Sequence, residues 1–226
     1  TREEHHDKEF VMKALSTKHT VFGPYPFSSN SWNTFFQLPE KFLSNRDAVL
    51  AYVSNKEFQN DFRNELFEVP EKLRDDKEVM LAVCNKNAAA LSIASERLKD
   101  DRDVVLAVIH SIDPSYRFET NLKYASQRLR MDKELILEAI RSFDLVEGEE
   151  FFWFDHLLLR DMSLEEEKEI LDAALNLIRD CKHSGTSFGF LRHFSTSLRD
   201  CEEAMSKAVK LNLCSIHWCS RKLRVS

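Results

Sequence analysis

The 226-residue sequence predicts an all-α protein, an α-solenoid of about seven two-helix repeats, with an irregular compact helical bundle as the alternative. Three observations carry this. One short string returns along the chain. Apolar residues inside each return fall at helical spacing. Glycine and proline, the helix breakers, fall outside that stripe.

The string Asp76-Lys-Glu-Val-Met-Leu-Ala-Val comes back as Asp101-Arg-Asp-Val-Val-Leu-Ala-Val and as Asp132-Lys-Glu-Leu-Ile-Leu-Glu-Ala. Weaker versions begin at Asp7, Asn45, Glu167 and Cys201, so the seven starts lie 25 to 38 residues apart. Counted from each start, offsets 3, 4, 7 and 8 are apolar or small, as in Val79, Met80, Val83 and Cys84, or Ile170, Leu171, Ala174 and Leu175. That is one stripe of an amphipathic helix, here helix A. An Asp or Asn at the start suits an N-cap, because its side-chain oxygen accepts an orphan first-turn N–H. Glu167 and Cys201 are poorer caps. The acid at offset 2, from Glu9 and Asp47 through Glu203, favours the positive end of the helix dipole.

Helix B is shorter. Three residues before each following start stands an apolar anchor: Phe42, Leu73, Leu98, Leu129, Leu164 and Leu198, with Leu223 near the end. Ala94-Ser95-Glu96-Arg97-Leu98, Ala125-Ser126-Gln127-Arg128-Leu129 and Cys219-Ser220-Arg221-Lys222-Leu223 show its pattern. Pro39 and Pro70 replace the serine in the first two units, predicting an irregular B helix there. Gly23, Gly148, Gly185, Gly189, Pro24, Pro26 and Pro114 all lie between an A and a B helix. The A-to-B distance varies while the B-to-A link does not, so insertions collect on one side of the array, where binding loops are expected. A lone pair of helices cannot bury its stripe, so neighbours must stack into a single helical repeat domain spanning 1–226.

The units at Asp76 and Asp101 share a Leu-Arg/Lys-Asp-Asp-Lys/Arg-Glu/Asp-Val-x-Leu-Ala-Val core. This core resembles the helical tandem repeat known as domain of unknown function forty-one sixteen, closely from Leu73 to Ile140 and weakly beyond. The resemblance implies tandem helical repeats and no assigned activity. Pro39, Pro70 and the long insert after Leu15 depart from that pattern, so those units are expected to stack less regularly.

Composition narrows the function. With 32 basic and 38 acidic residues the net charge is −6, which argues against nucleic acid. The charge is uneven, however. Asp144 to Asp172 holds eleven acids and two bases, whereas Ser206 to Ser226 holds Lys207, Lys210, Arg221, Lys222 and Arg224 and no acid. No apolar run approaches the ~18 residues of a membrane span. Cys84, Cys181, Cys201, Cys214 and Cys219 form no disulfide framework, and Thr1 to Glu9 is charged. An intracellular location with reduced thiols, in the cytoplasm or an organelle, is therefore expected.

Several constellations are weighed for chemistry. Gly185-Thr186-Ser187-Phe188-Gly189 matches a nucleophile elbow, but that elbow needs a strand before the serine, and none is expected. Cys181, His183, Cys214, His217 and Cys219 include zinc-ligand types without paired-knuckle spacing. Asp155-His156 has no accompanying nucleophile, and His5-His6 stands alone as a possible metal pair. Four glycines leave no phosphate loop. The expectation is no catalytic residue, no metal and no cofactor. Phe151-Phe152-Trp153-Phe154 beside Glu147, Glu149 and Glu150 reads differently, as aromatics ringed by charge that suit protein docking. Trp32, Phe35 and Phe36 form a second aromatic group.

The reading is a non-catalytic protein–protein interaction or scaffold module. Its partner is expected to dock along the acidic middle, on Glu149, Glu150, Phe152, Trp153, Glu165 and Glu166. A hydrolase-type enzyme using Ser187 or His156, and weak nucleic-acid binding through the basic C-terminal tail, are the alternatives.

Overall fold

A computed structural model describes residues 42, 44–54, 69–111, 122–142, 152–180 and 188–225, with the backbone alone at 152, 153 and 180. Among these residues there are helices and connecting turns and no strand. The chain divides into two units, Thr1–Arg117 and Phe118–Ser226.

In the first unit α1 (Arg46–Val53), α2 (Lys77–Lys86) and α4 (Arg102–Ile109) are A helices, and α3 (Glu96–Lys99) is a B helix. Their starts follow from local chemistry. Asn45 Oδ1 accepts from the N–H groups of Asp47 and Ala48 at 3.0 and 3.2 Å. Asp76 and Asp101 do the same for the second and third residues after them. The stripe then points inward: Ala48, Val49, Tyr52 and Val53 on α1, Val79, Met80, Val83 and Cys84 on α2, and Val104, Val105, Val108 and Ile109 on α4 are all buried. Each buried Val, Ile or Met of these stripes contributes roughly 1.5–3 kcal/mol of burial free energy. Helix α1 packs on α2 and α2 on α4. Pro70 lacks an N–H and caps only a single 3-10 turn, Glu71–Leu73, where the B helix was expected to be irregular.

The second unit holds α5 (Gln127–Arg130), α6 (Lys133–Ser142), α7 (Leu164–Asp180), α8 (Thr196–Arg199), α9 (Glu202–Leu211) and α10 (Arg221–Val225). Helix α6 packs on α7, and α7 on α9. Leu135, Ile136, Ala139 and Ile140 on α6, and Ile170, Leu171, Ala174 and Leu175 on α7, are buried. On α9, Ala204, Met205 and Ala208 are buried and Val209 is half-buried. A cluster of phenylalanines completes this core: Phe154 lies 5.3 Å from Phe190 and 6.0 Å from Phe194, ring centre to ring centre.

Two sequence expectations change. The first is the simple helix pair. Between A and B lies a short 3-10 helix: Ala88–Ile93, Leu122–Tyr124, Phe152–His156, Gly189–His193 and Leu213–Trp218. The second is the start placed at Glu167. Helix α7 begins one turn earlier, because Ser163 and Glu166 form a capping box: Ser163 N–H donates to Glu166 Oε2 at 3.0 Å, and Glu166 N–H donates to Ser163 Oγ at 3.3 Å. Leu164 consequently opens α7 instead of anchoring a B helix, and Leu159 is the buried residue of the preceding 3-10 turn Leu159–Asp161.

Candidate interaction surface

Most polar side chains of the helix starts are committed to holding helices together. The base one residue after an A cap reaches the next A helix. Arg46 pairs with Asp76 at 2.8 Å and also with Glu78. Lys77 bridges Asp101 and Asp103 at 2.8 and 2.7 Å, and Lys133 reaches Glu169 at 2.9 Å. Lys207 runs the other way, from α9 back to Asp172 on α7 at 2.7 Å. Partial burial raises the Asp101 carboxyl, but the Lys77 ammonium and the N–H groups of Val104 and Asp103 outweigh it and hold its pKa below the ordinary value. The Asp-Lys/Arg-Asp/Glu triplet in the recurring string carried this ladder, and sequence reasoning read only its cap and its dipole acid.

The serines of the B helices form a second set of links. Ser95, Ser126, Ser195 and Ser220 each accept the N–H three residues on. Ser95 N–H donates to Arg74 O, and Ser220 N–H to Arg199 O, each at 3.0 Å. Ser195 instead donates from both its N–H, at 2.6 Å, and its hydroxyl to the buried carboxylate of Glu167.

Against that background the predicted docking residues separate. Glu165 and Glu166 come together on the first turn of α7. Glu165 is exposed and pairs with Lys168 at 3.1 Å. Glu166 belongs to the capping box, and its bonds from Ser163 hold its carboxyl below the usual range. Phe152 and Trp153 lie on the 3-10 helix Phe152–His156, while Glu149 and Glu150 fall outside the described residues. Phe154, from the same aromatic run, is core. Trp32, Phe35, Phe36, His5 and His6 also lie outside the described residues.

Asp155 pairs with His193 and Arg192. Its Oδ1 lies 2.6 Å from His193 Nε2 and 3.1 Å from an Arg192 guanidinium nitrogen. The histidine contact has the distance of an ion pair. Burial, opposed by Asp155 and reinforced by Arg192 and Arg160, lowers the His193 pKa. Burial and Lys123 lower that of His156. The hydroxyls of Ser163 and Ser195 are committed to Glu166 and Glu167.

The remaining motifs are placed as follows. Ser187, Cys181 and His183 lie outside the described residues, and the last described segment before them is helix, α7 to Asp180. Cys214 and His217 are exposed, whereas Cys219 is buried and contacts Ser215 O at 3.9 Å. Among the described residues no three potential metal ligands cluster, and no helix is long and apolar enough to cross a membrane. Burial pushes the Cys84 thiol up to about 12, so it stays protonated.

Sequence reasoning read the basic charge of the last elements but missed their exposed apolar side chains. Leu211, Leu213, Ile216 and Val225 are the exposed large apolar side chains among the described residues, all on α9, the 3-10 helix Leu213–Trp218 and α10. Lys210, Arg221, Lys222 and Arg224 are exposed on the same elements.

The model of one family, described as Domain of unknown function (DUF4116), matches this chain at residues 76–115 and 101–145. These overlapping windows open on the N-caps Asp76 and Asp101. No curated protein and no solved structure matches the chain.

Proposed function

We propose that the chain is a non-catalytic protein–protein interaction or scaffold module, an α-solenoid of about seven helical repeats that docks a protein partner. The observation that carries this reading is a set of large apolar side chains left exposed on one run of elements, with Leu213 at 77% and Val225 at 80%. Water-exposed apolar clusters beside charge are the usual mark of a docking surface. The stacked A helices, their charge ladder and the family match opening at two successive caps support the repeat reading.

A protein partner also docks on the acidic middle, through Glu149, Glu150, Glu165 and the aromatic run at Phe152 and Trp153. Glu166 lies beside that surface and serves first as the α7 capping residue. The test is capture of partners from native extract by the wild type and by Glu149→Lys/Glu150→Lys/Glu165→Lys, followed by titration of the captured protein. Glu166 is left intact so that α7 keeps its cap. A partner held by the wild type, weakened about tenfold or more in the variant and sensitive to salt, is the expected result. A partner bound equally by both forms removes the acidic surface. Retention of no protein by either form removes docking as the function.

A further inference from the structure

Many bases in the described residues are matched to acids. Arg46, Lys77, Lys133 and Lys207 form the ladder, Arg97 pairs with Asp75 at 3.0 Å, and Lys99 pairs with Glu96 at 2.8 Å. Around the 3-10 helix Phe152–His156, within the second unit, that matching fails. The 3-10 helix Leu122–Tyr124 packs on Phe152–His156, which packs in turn on Gly189–His193, so three of these short helices form a row.

Lys123 stands on the first helix of the row, Arg192 and His193 on the third, and Arg130 and Arg160 flank the middle one. Arg130 ends α5 and donates from Nη1 to His156 O at 3.3 Å, while its buried Nε makes no hydrogen bond. Arg160 donates from Nη2 to Arg192 O at 2.8 Å. Lys123 Nζ lies 4.9 Å from the centre of the Tyr124 ring. These contacts are with neutral groups, so among the described residues none of the three cations has a carboxylate partner.

Acid is scarce in the row. Asp155, on the middle helix, is taken by Arg192 and His193 at 3.1 and 2.6 Å. Asp161 follows Arg160 in sequence and is exposed. Lys123, Arg130, Arg160 and Arg192 against these two acids give 4 − 2 = +2, in a chain whose net charge is −6. Both histidines register the excess. Besides burial, Lys123 and Arg130 oppose protonation of His156, and Arg192 and Arg160 oppose that of His193, so these groups lie within one another's fields. Gathered like charge weakens a fold by repulsion, and an anion laid on it relieves that repulsion.

Size says which anion fits. Two helix-to-helix steps of about 8–10 Å make the row roughly 20 Å long, which an extended peptide spans with about six residues. Helix α7, which follows Arg160, carries exposed Glu165 and Glu169, and these repel a polyanion that outruns the row.

We infer that this row of 3-10 helices docks an acidic peptide segment of a partner protein, whose carboxylates meet Lys123, Arg130 and Arg160. The inference rests on the interaction reading above and adds to it a surface opposite in sign to the acidic middle.

Fluorescence anisotropy of a fluorescein-labelled oligoglutamate of about eight residues, titrated with the full chain in about 50 mM salt, tests it. Saturable binding with a Kd of about 1–100 µM is expected, and it is lost near ~0.5 M salt. Lys123→Gln/Arg160→Gln, at exposed positions, weakens binding at least about fivefold. Its melting temperature shifts by no more than about 3 °C. Lys72→Gln/Lys86→Gln removes the same charge from the first unit and leaves binding unchanged. No saturation by about 1 mM overturns the proposal, and so does binding that is indifferent to Lys123 and Arg160 or equally weakened by the two variants. A labelled single-stranded RNA of similar length is titrated alongside. RNA bound more tightly than the peptide, and weakened by Lys123→Gln/Arg160→Gln, also overturns the proposal and gives the face to nucleic acid. The titration requires no cellular partner, and the capture variant keeps Lys123 and Arg160, so the two readings fail separately.

Discussion

At the scale of single residues, His156 and His193 are the bases among the described residues whose protonation the fold opposes. Both have pKa values lowered, chiefly by burial, with Lys123 and Arg130 adding to the effect at one and Arg192 and Arg160 at the other. A base with a depressed folded pKa takes up protons more readily when unfolded. Stability is therefore full above the ordinary histidine value of about 6.5 and falls as pH drops from there toward the folded pKa. Asp76, Asp101 and Glu166 move in the opposite sense relative to their charged form. Their depressed values keep their contribution intact above an ordinary carboxylate pKa of about 4, and it is lost only as pH falls below that. Thermal melts between pH 7 and pH 3 should thus show two separate declines. In His156→Gln/His193→Gln the first, which sets in below about 6.5, should flatten while the second remains. An unchanged upper decline would show that these imidazoles are not its source.

At the scale of elements, the B helices are four or five residues long and owe their place to a serine at each start. Those serines are not equal. The hydroxyl of Ser220 caps α10 alone, whereas that of Ser195 caps α8 and also donates to Glu167, a carboxylate 1% exposed. Ser220→Ala should cost about 1 kcal/mol or less, the value of a cap. Ser195→Ala should cost a further ~1–3 kcal/mol, because a buried carboxylate oxygen loses its donor. Urea titration of the two variants measures the difference, and equal losses would show that Glu167 gains nothing from that bond. The A helices were legible in the sequence because a four-position apolar stripe and an Asp or Asn cap are each visible in one dimension. The six-residue 3-10 helices were not, since two turns at a period of three leave no stripe distinct from loop. Helix α7 was placed a turn late for a related reason: the recurring string aligned on Glu167, while the reciprocal Ser163 and Glu166 bonds set the actual start.

At the scale of the whole molecule, charge does two jobs that composition alone merges. The ladder from Arg46 and Lys77 in one unit, and from Lys133 and Lys207 in the other, accounts for much of the paired acid and base at the A helices. Its members are partly exposed, so each contributes only ~0–1 kcal/mol and is screened by salt. In low salt, Lys77→Met/Lys133→Met should melt a few degrees below wild type, and the gap should close near ~1 M salt. A gap that persists there would assign the loss to packing of the lysine stems. The candidate surfaces were only half legible. The acidic middle could be counted from the sequence, whereas the exposed face at Leu213 and Ile216 could not. Those residues obey the same pattern as Ala88 and Leu91, which are buried, so the sequence alone does not mark them as surface.

Asn87 and Asn212 each end one helix and begin the next, so neither joint has a spare residue. Between Ile109 and Leu122 the corresponding joint is a dozen positions long. Over the history of such a chain, gains and losses of sequence are thereby channelled. A residue added at Asn87 rotates everything after it by about 100° and breaks the seam. Length polymorphism among descendants should spare the asparagine joints, and a designer grafting a new binding loop has the same two places to avoid.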